Sequence, residues 1–515
     1  MRSCGKTRLF GKMISFRRIV SLLLLSTFLM TGCRKTPEES AVVSKAEGLS
    51  EDVIAGPLES GEIRDTDIPE HWQMEELKSE DRVTISADLE FGKMKIGNLP
   101  VIEVRNHVFG QEELERLVDY FSDGKELYVP QPYTKQVFRN VISRVDEKQG
   151  LYGSGYSWVN PLKTRQQMEA AVEIAPETNG TPEKAEVKFS EGFADQAQEA
   201  AKDYEIYENR EERIWFEADV GEEREAHIQA ERYEPKVRNS SSFEWMQGAR
   251  VMEYSAVESA RMFFDYNDQQ ENAFTQALEE RMALYEACYE QGAFDRDAGE
   301  EQARQVLADL EIDGMSAGAK ERILWFSDAD YPKGEVMAGN ALDVFWIADP
   351  AKAEFGYSYT FSREIGGLNV TAGSSSVSET TDDMYSPPFP VETITITVTE
   401  SGVKGFVWEG MMEEAKTVTE NTELLSFEKI QKKLADQVFY RYSSYEQPDS
   451  DTTLSRYTVT DAVLGYAYIP AYENPENAWL VPVWYFTVSE GRDGVDWQNI
   501  YYLVNALDGR VITGE

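Results

Sequence analysis

Alternation of apolar and polar residues, interrupted by stretches at helical spacing, organises most of this 515-residue chain. VTISADLEF, starting at Val83, changes sides at every residue, and GNLPVIEVRNHVF continues it as a second strand. Leu114, Leu117, Val118 and Phe121 then fall at i, i+3, i+4 and i+7, an amphipathic helix closed by Gly124, and a second helix is expected around Val137 to Val145. Residues 150 to 192 carry Gly153, Gly155, Pro161, Pro176, Gly180 and Pro182 and read as a boundary. RIWFEADV and AHIQAERYE restore the strand period. Residues 270 to 313 return to the helical one: Phe274, Ala277, Leu278, Met282 and Tyr285 share a face with Cys288. A capping box of Asp297 and Glu300 is expected to open a further helix ending at Gly314.

The remainder reads as strands: ERILWF, EFGYSYTFSR and the hairpin ETITITVTESGVKGFVWEG, turning at Ser401-Gly402. A final helix with Phe427, Ile430, Leu434 and Val438 inward precedes YTVTDAVLGYAYI, AWLVPVWYFTV and NIYYLVNALDGRVI. The order helix-then-three-strands occurs over 298–400 and again over 426–513, as in a duplicated unit. Pro482, inside the penultimate strand, cannot donate to a ladder and so predicts an edge position or a bulge. The expected class is α+β, with several mostly antiparallel sheets, packed amphipathic helices and more than one domain. The expected segments are 67–150, 186–313 and 314–515, with 426–515 as a distinct end.

The N-terminus follows another pattern. Arg17 and Arg18 precede an apolar run from Ile19 to Met30 that closes on Thr31-Gly32-Cys33. A basic region, a short apolar core and a small residue before the cut define an export signal over 1–32, and Met13 alone would open a compact one. The run is too short for a bilayer core of about 30 Å. A cysteine directly after the small residue resembles the lipobox of bacterial lipoproteins. That resemblance implies cleavage between Gly32 and Cys33 and a diacylglyceryl group on the Cys33 thiol. Met30 and Thr31 depart from the usual lipobox residues. Residues 33–66, rich in Glu, Ser, Gly and Pro without a period, read as a flexible acidic tether.

Charge and cysteine content narrow the partners. The formal charge is −42, and removing the six cations Arg2, Lys6, Arg8, Lys12, Arg17 and Arg18 leaves −48. A surface so negative repels nucleic acid and anionic headgroups. Of Cys4, Cys33 and Cys288, only the last would remain a free thiol in the processed chain, which excludes an internal disulfide there. A lone thiol is in keeping with an exported Gram-positive protein.

The end of the chain carries a second resemblance. VPVWYF followed by YYLVNALDGRVI resembles the closing strands of PepSY-like domains and of the YycH/YycI-type extracytoplasmic regulators of Gram-positive sensor kinases. Asn505-Ala506 and Asp508-Gly509 hold the turn positions and Val511 and Ile512 resume the strand, with Asn505 where Asp is usual. Independently of any family, Asp-Gly supplies the positive φ of a tight hairpin. The whole arrangement resembles uncharacterised clostridial-type lipoproteins, which bring no catalytic residues with them.

Reactive chemistry is sparse. His71, His107 and His227 lie in separate segments, with no HExxH and no GxSxG. Cys288 on an apolar stripe reads as a buried thiol. Asp265-Tyr266-Asn267-Asp268 and Asp493-Gly494-Val495-Asp496 are acidic turns without EF-hand spacing. Trp158, Trp245, Trp325, Trp346, Trp408, Trp479, Trp484 and Trp497 admit ligand stacking, but strand alternation makes packing their default. No metal or organic cofactor is expected.

The favoured expectation is an anchored, non-enzymatic module at the outer face of a Gram-positive membrane. It would bind a membrane sensor, a protease or a cell-wall component. The rivals are a hydrolase using a carboxylate pair on glycan or peptide, and a solute-binding protein. Cys33→Ala is expected to abolish metabolic labelling by fatty acid and to leave precursor or released protein. Labelling that persists in that variant would remove the lipobox reading.

Overall fold

The computed structural model describes residues 42–44, 68–78, 82–91, 96–132, 134–152, 169–193, 212–234, 239–248, 250–258, 273–327, 349–374, 378–379, 385–445, 454–471, 474–492 and 495–513. Strands β1 (Val42–Ser44), β2 (His71–Lys78), β3 (Val83–Glu90) and β4 (Val101–Asn106) precede helix α1 (Gln111–Ser122). β5 (Leu127–Tyr128) and α2 (Lys135–Tyr152) lead to β6 (Ser190–Phe193), β7 (Glu212–Val220), β8 (Ala226–Arg232), β9 (Ser242–Gln247) and β10 (Arg250–Glu253). Helices α3 (Ala273–Gln291) and α4 (Arg296–Asp309) come next. Then follow β11 (Met315–Phe326), β12 (Glu354–Ile365), β13 (Leu368–Ala372), β14 (Ser378–Glu379), β15 (Tyr385–Ser386), β16 (Thr393–Thr399), β17 (Gly402–Glu409) and β18 (Met412–Thr419). Helix α5 (Phe427–Tyr445) introduces β19 (Ser455–Ala471), β20 (Asn474–Arg492), β21 (Val495–Asn505) and β22 (Val511–Thr513). The class is α+β with strands dominating.

The first sheet is built on the hairpin of β19 and β20, 17 and 19 residues long. At its open end β19 pairs in parallel with β3, which pairs with β2, while β20 pairs with β21 and through it β22 and β1. Toward its turn the neighbours change: β13 runs beside β19, and β4, backed by β18, runs beside β20. Burial changes with them. Near the open end β19 alternates, Tyr457 and Val459 buried and Arg456 and Thr460 exposed, so one face meets water; from Tyr466 to Ala471 and from Ala478 to Trp484 every residue is buried. Helix α5 covers the first face with Phe427, Ile430, Leu434 and Val438, against Trp72, Ile85, Tyr457, Trp484 and Phe486.

The second sheet is antiparallel throughout. β5 and β6 share one margin of β7, and the order continues β8, β9, β17, β16, β12, β11, β10. Only residues 248 and 249 separate β9 from β10, yet these strands border β17 and β11 respectively, so the sheet curls round on itself. Trp325 closes the seam by donating its indole N–H to the Gln247 carbonyl at 2.7 Å. Gly248, at φ 80°, is required there, because a Cβ would lie 2.4 Å from the Trp325 ring. Helices α1 and α4 pack Leu114, Leu117, Phe121, Ala303, Val306 and Leu307 onto Phe243, Phe361, Ile396 and Phe406. Helix α3 sets Met282, Tyr285 and Tyr289 against Met252, Leu324 and Phe326.

Segments read in linear order interleave in space. Strands β2 to β4 complete the sheet of β18 to β22, whereas α1 packs on the sheet formed between residues 127 and 409. The helices α4 and α5 are each followed by an antiparallel meander, β11–β12–β16–β17 and β19–β20–β21–β22. Two local expectations are corrected. The cap of α4 is Asp295, whose carboxylate accepts from the N–H groups of Asp297 and Ala298 at 2.9 Å, while Glu300 turns outward to Arg304 and Lys320. Pro482 lies neither on an edge strand nor at a bulge: it pairs with Tyr466 in regular register, where the outer neighbour of β20 changes from β4 at Leu480 to β21 at Val483. Its carbonyl accepts from the Ala506 N–H at 3.0 Å, and the Ala506 carbonyl takes the Leu425 N–H at 2.8 Å, so no acceptor there is left wanting the N–H that proline lacks.

Trp484 is 2 % exposed, with ring centroids 4.9 Å from Phe427 and 5.6 Å from Phe91, so Trp484→Ala is expected to cost about 3–5 kcal/mol. Gly509 has φ 75°, and a Cβ there would meet Leu425 and Lys433 at 3.1 Å, so Gly509→Val strains both the turn and the packing on α5. Denaturant melts should show both losses. A Trp484→Ala protein as stable as wild type would overturn the core assignment.

Candidate functional site

Chemistry-bearing side chains gather where the chain passes between the two sheets. It crosses after β4 into α1, from β12 into β13, back from β13 to β16, and from β17 into β18. His107 occupies the first crossing. Its backbone N–H donates to the Met411 carbonyl at 3.0 Å, at the β17–β18 crossing, and its own carbonyl accepts from the Ser241 hydroxyl. The imidazole lies between two carboxylates, Nδ1 at 3.0 Å from Glu413 on β18 and Nε2 at 2.9 Å from Glu113 on α1. Glu113 also accepts from the Gly110 N–H at 2.9 Å, the N-terminal half of a capping box, and Glu413 pairs with Arg105. One histidine therefore ties the start of α1, under the second sheet, to an edge of the first.

The second tie is deeper. Arg363, near the end of β12, donates to Glu392 at 2.5 Å, and the Trp408 indole donates to the other oxygen at 3.1 Å. Glu392 is 1 % exposed, so these bonds carry the cost of desolvating its charge. Burial, reinforced by Glu392, raises the pKa of the Tyr468 hydroxyl from β19 beside them.

Electrostatics define what the His107 node can do. The hydrogen bond to Glu113 is the largest influence on His107; with the bond to Glu413 it overcomes burial and pushes the pKa up to about 8. Burial acts to raise Glu113 and Glu413, but their bonds to His107 prevail and both carboxyls fall below the usual range. A general acid in glycoside hydrolysis needs a carboxyl held protonated, the opposite of this arrangement. With both ring nitrogens engaged, His107 acts as a charged clasp.

The remaining sequence candidates are dispersed. His227 on β8 bonds Asp219 across the β7–β8 pair at 3.0 Å, and Arg224 meets the same carboxylate at 2.8 Å. His71 on β2 pairs with Asp88 at 2.7 Å. Cys288 is half-buried in the α3 cluster, where burial pushes its thiol pKa up. Trp479 and Trp484 are buried, Trp245 and Trp408 pack against the second core, and Trp325 carries the Lys404 ammonium 4.4 Å from its ring centroid. Lys404, missed in the sequence, also donates to Gln247 at 2.9 Å. Gly32, Cys33, Trp158, Trp346 and the 265–268 turn lie outside the described residues, as do the side chains of Asp496 and Trp497. Among the described residues no three His, Cys, Asp or Glu side chains converge as a metal site, and no helix is long and apolar enough to cross a membrane.

The clasp has a calculable pH dependence. The His107 pKa is raised on folding, so its contribution is complete below about 6.5 and is lost as pH rises through about 8. The lowered carboxyls give the opposite limb, lost on acidification below their unfolded values. The alkaline loss should reach about 2 kcal/mol. Denaturant titrations at intervals from pH 6 to 9 should show that decline in the wild type and not in His107→Gln. Parallel curves for the two proteins would refute the clasp.

No family profile and no curated protein matches the chain. Among solved structures, an uncharacterised protein from Eubacterium rectale aligns over 87% of this chain and 94% of its own, at 11% identity and a TM-score of 0.37. The C-terminal domain of YpeB from Bacillus megaterium aligns over 62% of this chain and 94% of its own, at 11% identity and a TM-score of 0.20. Likenesses of that size leave the assignment to the chain's own residues.

Proposed function

We propose that this chain is a lipid-anchored, extracytoplasmic module that binds a partner at the Gram-positive cell surface without transforming it. The basic–apolar–Gly32–Cys33 order supports the location. The observation that carries the binding role is the disposition of polar chemistry. Each histidine is engaged by carboxylates, and the two carboxyls that converge on His107 are held ionised, which suits structure better than proton transfer. The outer face of the first sheet, by contrast, offers exposed polar side chains along β2 and β3.

Crosslinking of the anchored protein in its native membrane, followed by identification of the crosslinked peptides, is expected to join described surface residues to one membrane or envelope component. Turnover of a glycan or peptide by the purified protein, lost on Glu113→Gln or Glu413→Gln, would instead establish the hydrolase.

A further inference from the structure

The longest regular margin among the described strands belongs to β2. It pairs with β3 from His71↔Glu90 to Lys78↔Val83 without a register shift and has no described strand on its other side. Hydrogen-bonded and non-bonded pairs alternate in an antiparallel ladder. Phe91 N–H donates to the Glu70 carbonyl at 2.9 Å, which marks 70/91 as a bonded pair. The bonded residues of β2 are then Trp72, Met74, Glu76 and Lys78. The N–H and C=O groups of His71, Gln73, Glu75 and Leu77 point away from β3. Those same four side chains are exposed, Leu77 at 54 %.

Two other open margins are guarded. β18 carries register shifts at Glu414/Lys416 and Thr417/Thr419 with a lysine between them, and the free part of β11 is shifted at Ala317/Lys320. Bulges and lysines are the usual protection of an exposed edge. β2 has neither bulge nor proline, and its one lysine, Lys78, is drawn inward to Glu76 and Asp436.

Charge selects the occupant. Around this edge the exposed face bears Glu75, Asp88 and Glu90, and the whole chain carries −42. The opposite face of the edge is apolar over its first half, with Trp72, Met74 and, on α5, Phe439 at the rim of the core, before the Lys78–Glu76 pair. A second copy would set Glu75 near its own image, a repulsive pairing. We propose that the free edge of β2 docks an extended segment of a partner protein, as an added strand whose outward side chains are basic and whose inward ones are apolar. This rests on the reading of the chain as a binding module and gives that module its site and its partner's chemistry. Main-chain bonds would supply affinity, and the alternating side chains specificity.

The probe is a capped eight-residue peptide alternating lysine and valine, with an alternating glutamate–valine peptide as control. Fluorescence anisotropy should show binding of the basic peptide only. Gln73→Pro removes an outward donor without costing a bond to β3, and should weaken binding at least tenfold; Glu75→Lys should weaken it at least threefold. Hydrogen exchange on the unaltered protein should show the Gln73 and Glu75 amides slowed by the peptide. Unchanged exchange at saturation, or equal affinity for Gln73→Pro, would overturn the edge. The failures separate cleanly. Crosslinking to the same partner by wild type and Gln73→Pro removes the edge and leaves the binding reading, whereas no crosslink from either removes the reading.

Discussion

Everything in the first sheet depends on the ladder between β19 and β20. No other described pair of strands is as long, and eight further strands, β3, β13, β4 and β21 directly and β2, β18, β22 and β1 through them, find their register against it. Its length lets one two-stranded ribbon belong to two local sheets, one-sided near the open end and buried on both faces near the turn. The change is visible in side-chain choice: Arg456, Thr458 and Thr460 alternate with buried residues in the first half, while Tyr466 to Ala471 are all apolar and buried in the second. Pro482 marks where the neighbours change.

The two sheets are joined differently from how each is held together. Within each, aromatic and aliphatic side chains fill the core; between them, charged and hydrogen-bonded groups recur, with His107, Glu113 and Glu413 at one crossing and the Arg363–Glu392 pair of the second sheet beside Tyr468 of the first at another. Hydrophobic contact is tolerant of small slides, whereas a buried carboxylate with two donors is satisfied in one geometry only. The polar joints therefore fix orientation more than they add stability.

Much of the local structure was legible. Period-two alternation located VTISADLEF, RIWFEADV and AWLVPVWYFTV, and the spacing of Phe427, Ile430, Leu434 and Val438 identified the buried face of α5, because those signals are written within a few residues. Pairing across hundreds of residues leaves no such trace. Nothing in the composition of β3 says that it lies beside β19, so a division into consecutive segments followed the chain and missed the space. Glu113 was legible in principle, three residues after Gly110 at the start of an apolar-periodic stretch. Its second role, on His107, needed the fold. Asp295 lost the cap to Asp297 in the sequence reading because Glu300 offered a plausible box partner, whereas in the structure Glu300 is drawn away by Arg304 and Lys320.

The partner of Ser86 is Thr458, 372 residues further along. A ribosome adding 5–20 residues per second needs roughly 20 to 75 s to cover that distance. Throughout that interval β2 and β3 exist as a lone hairpin with its apolar face uncovered and β19 still unmade, and an isolated hairpin is marginal in water. The nascent chain thus spends most of its synthesis with its first strands waiting for its last, a long exposure for a carrier or holdase to manage.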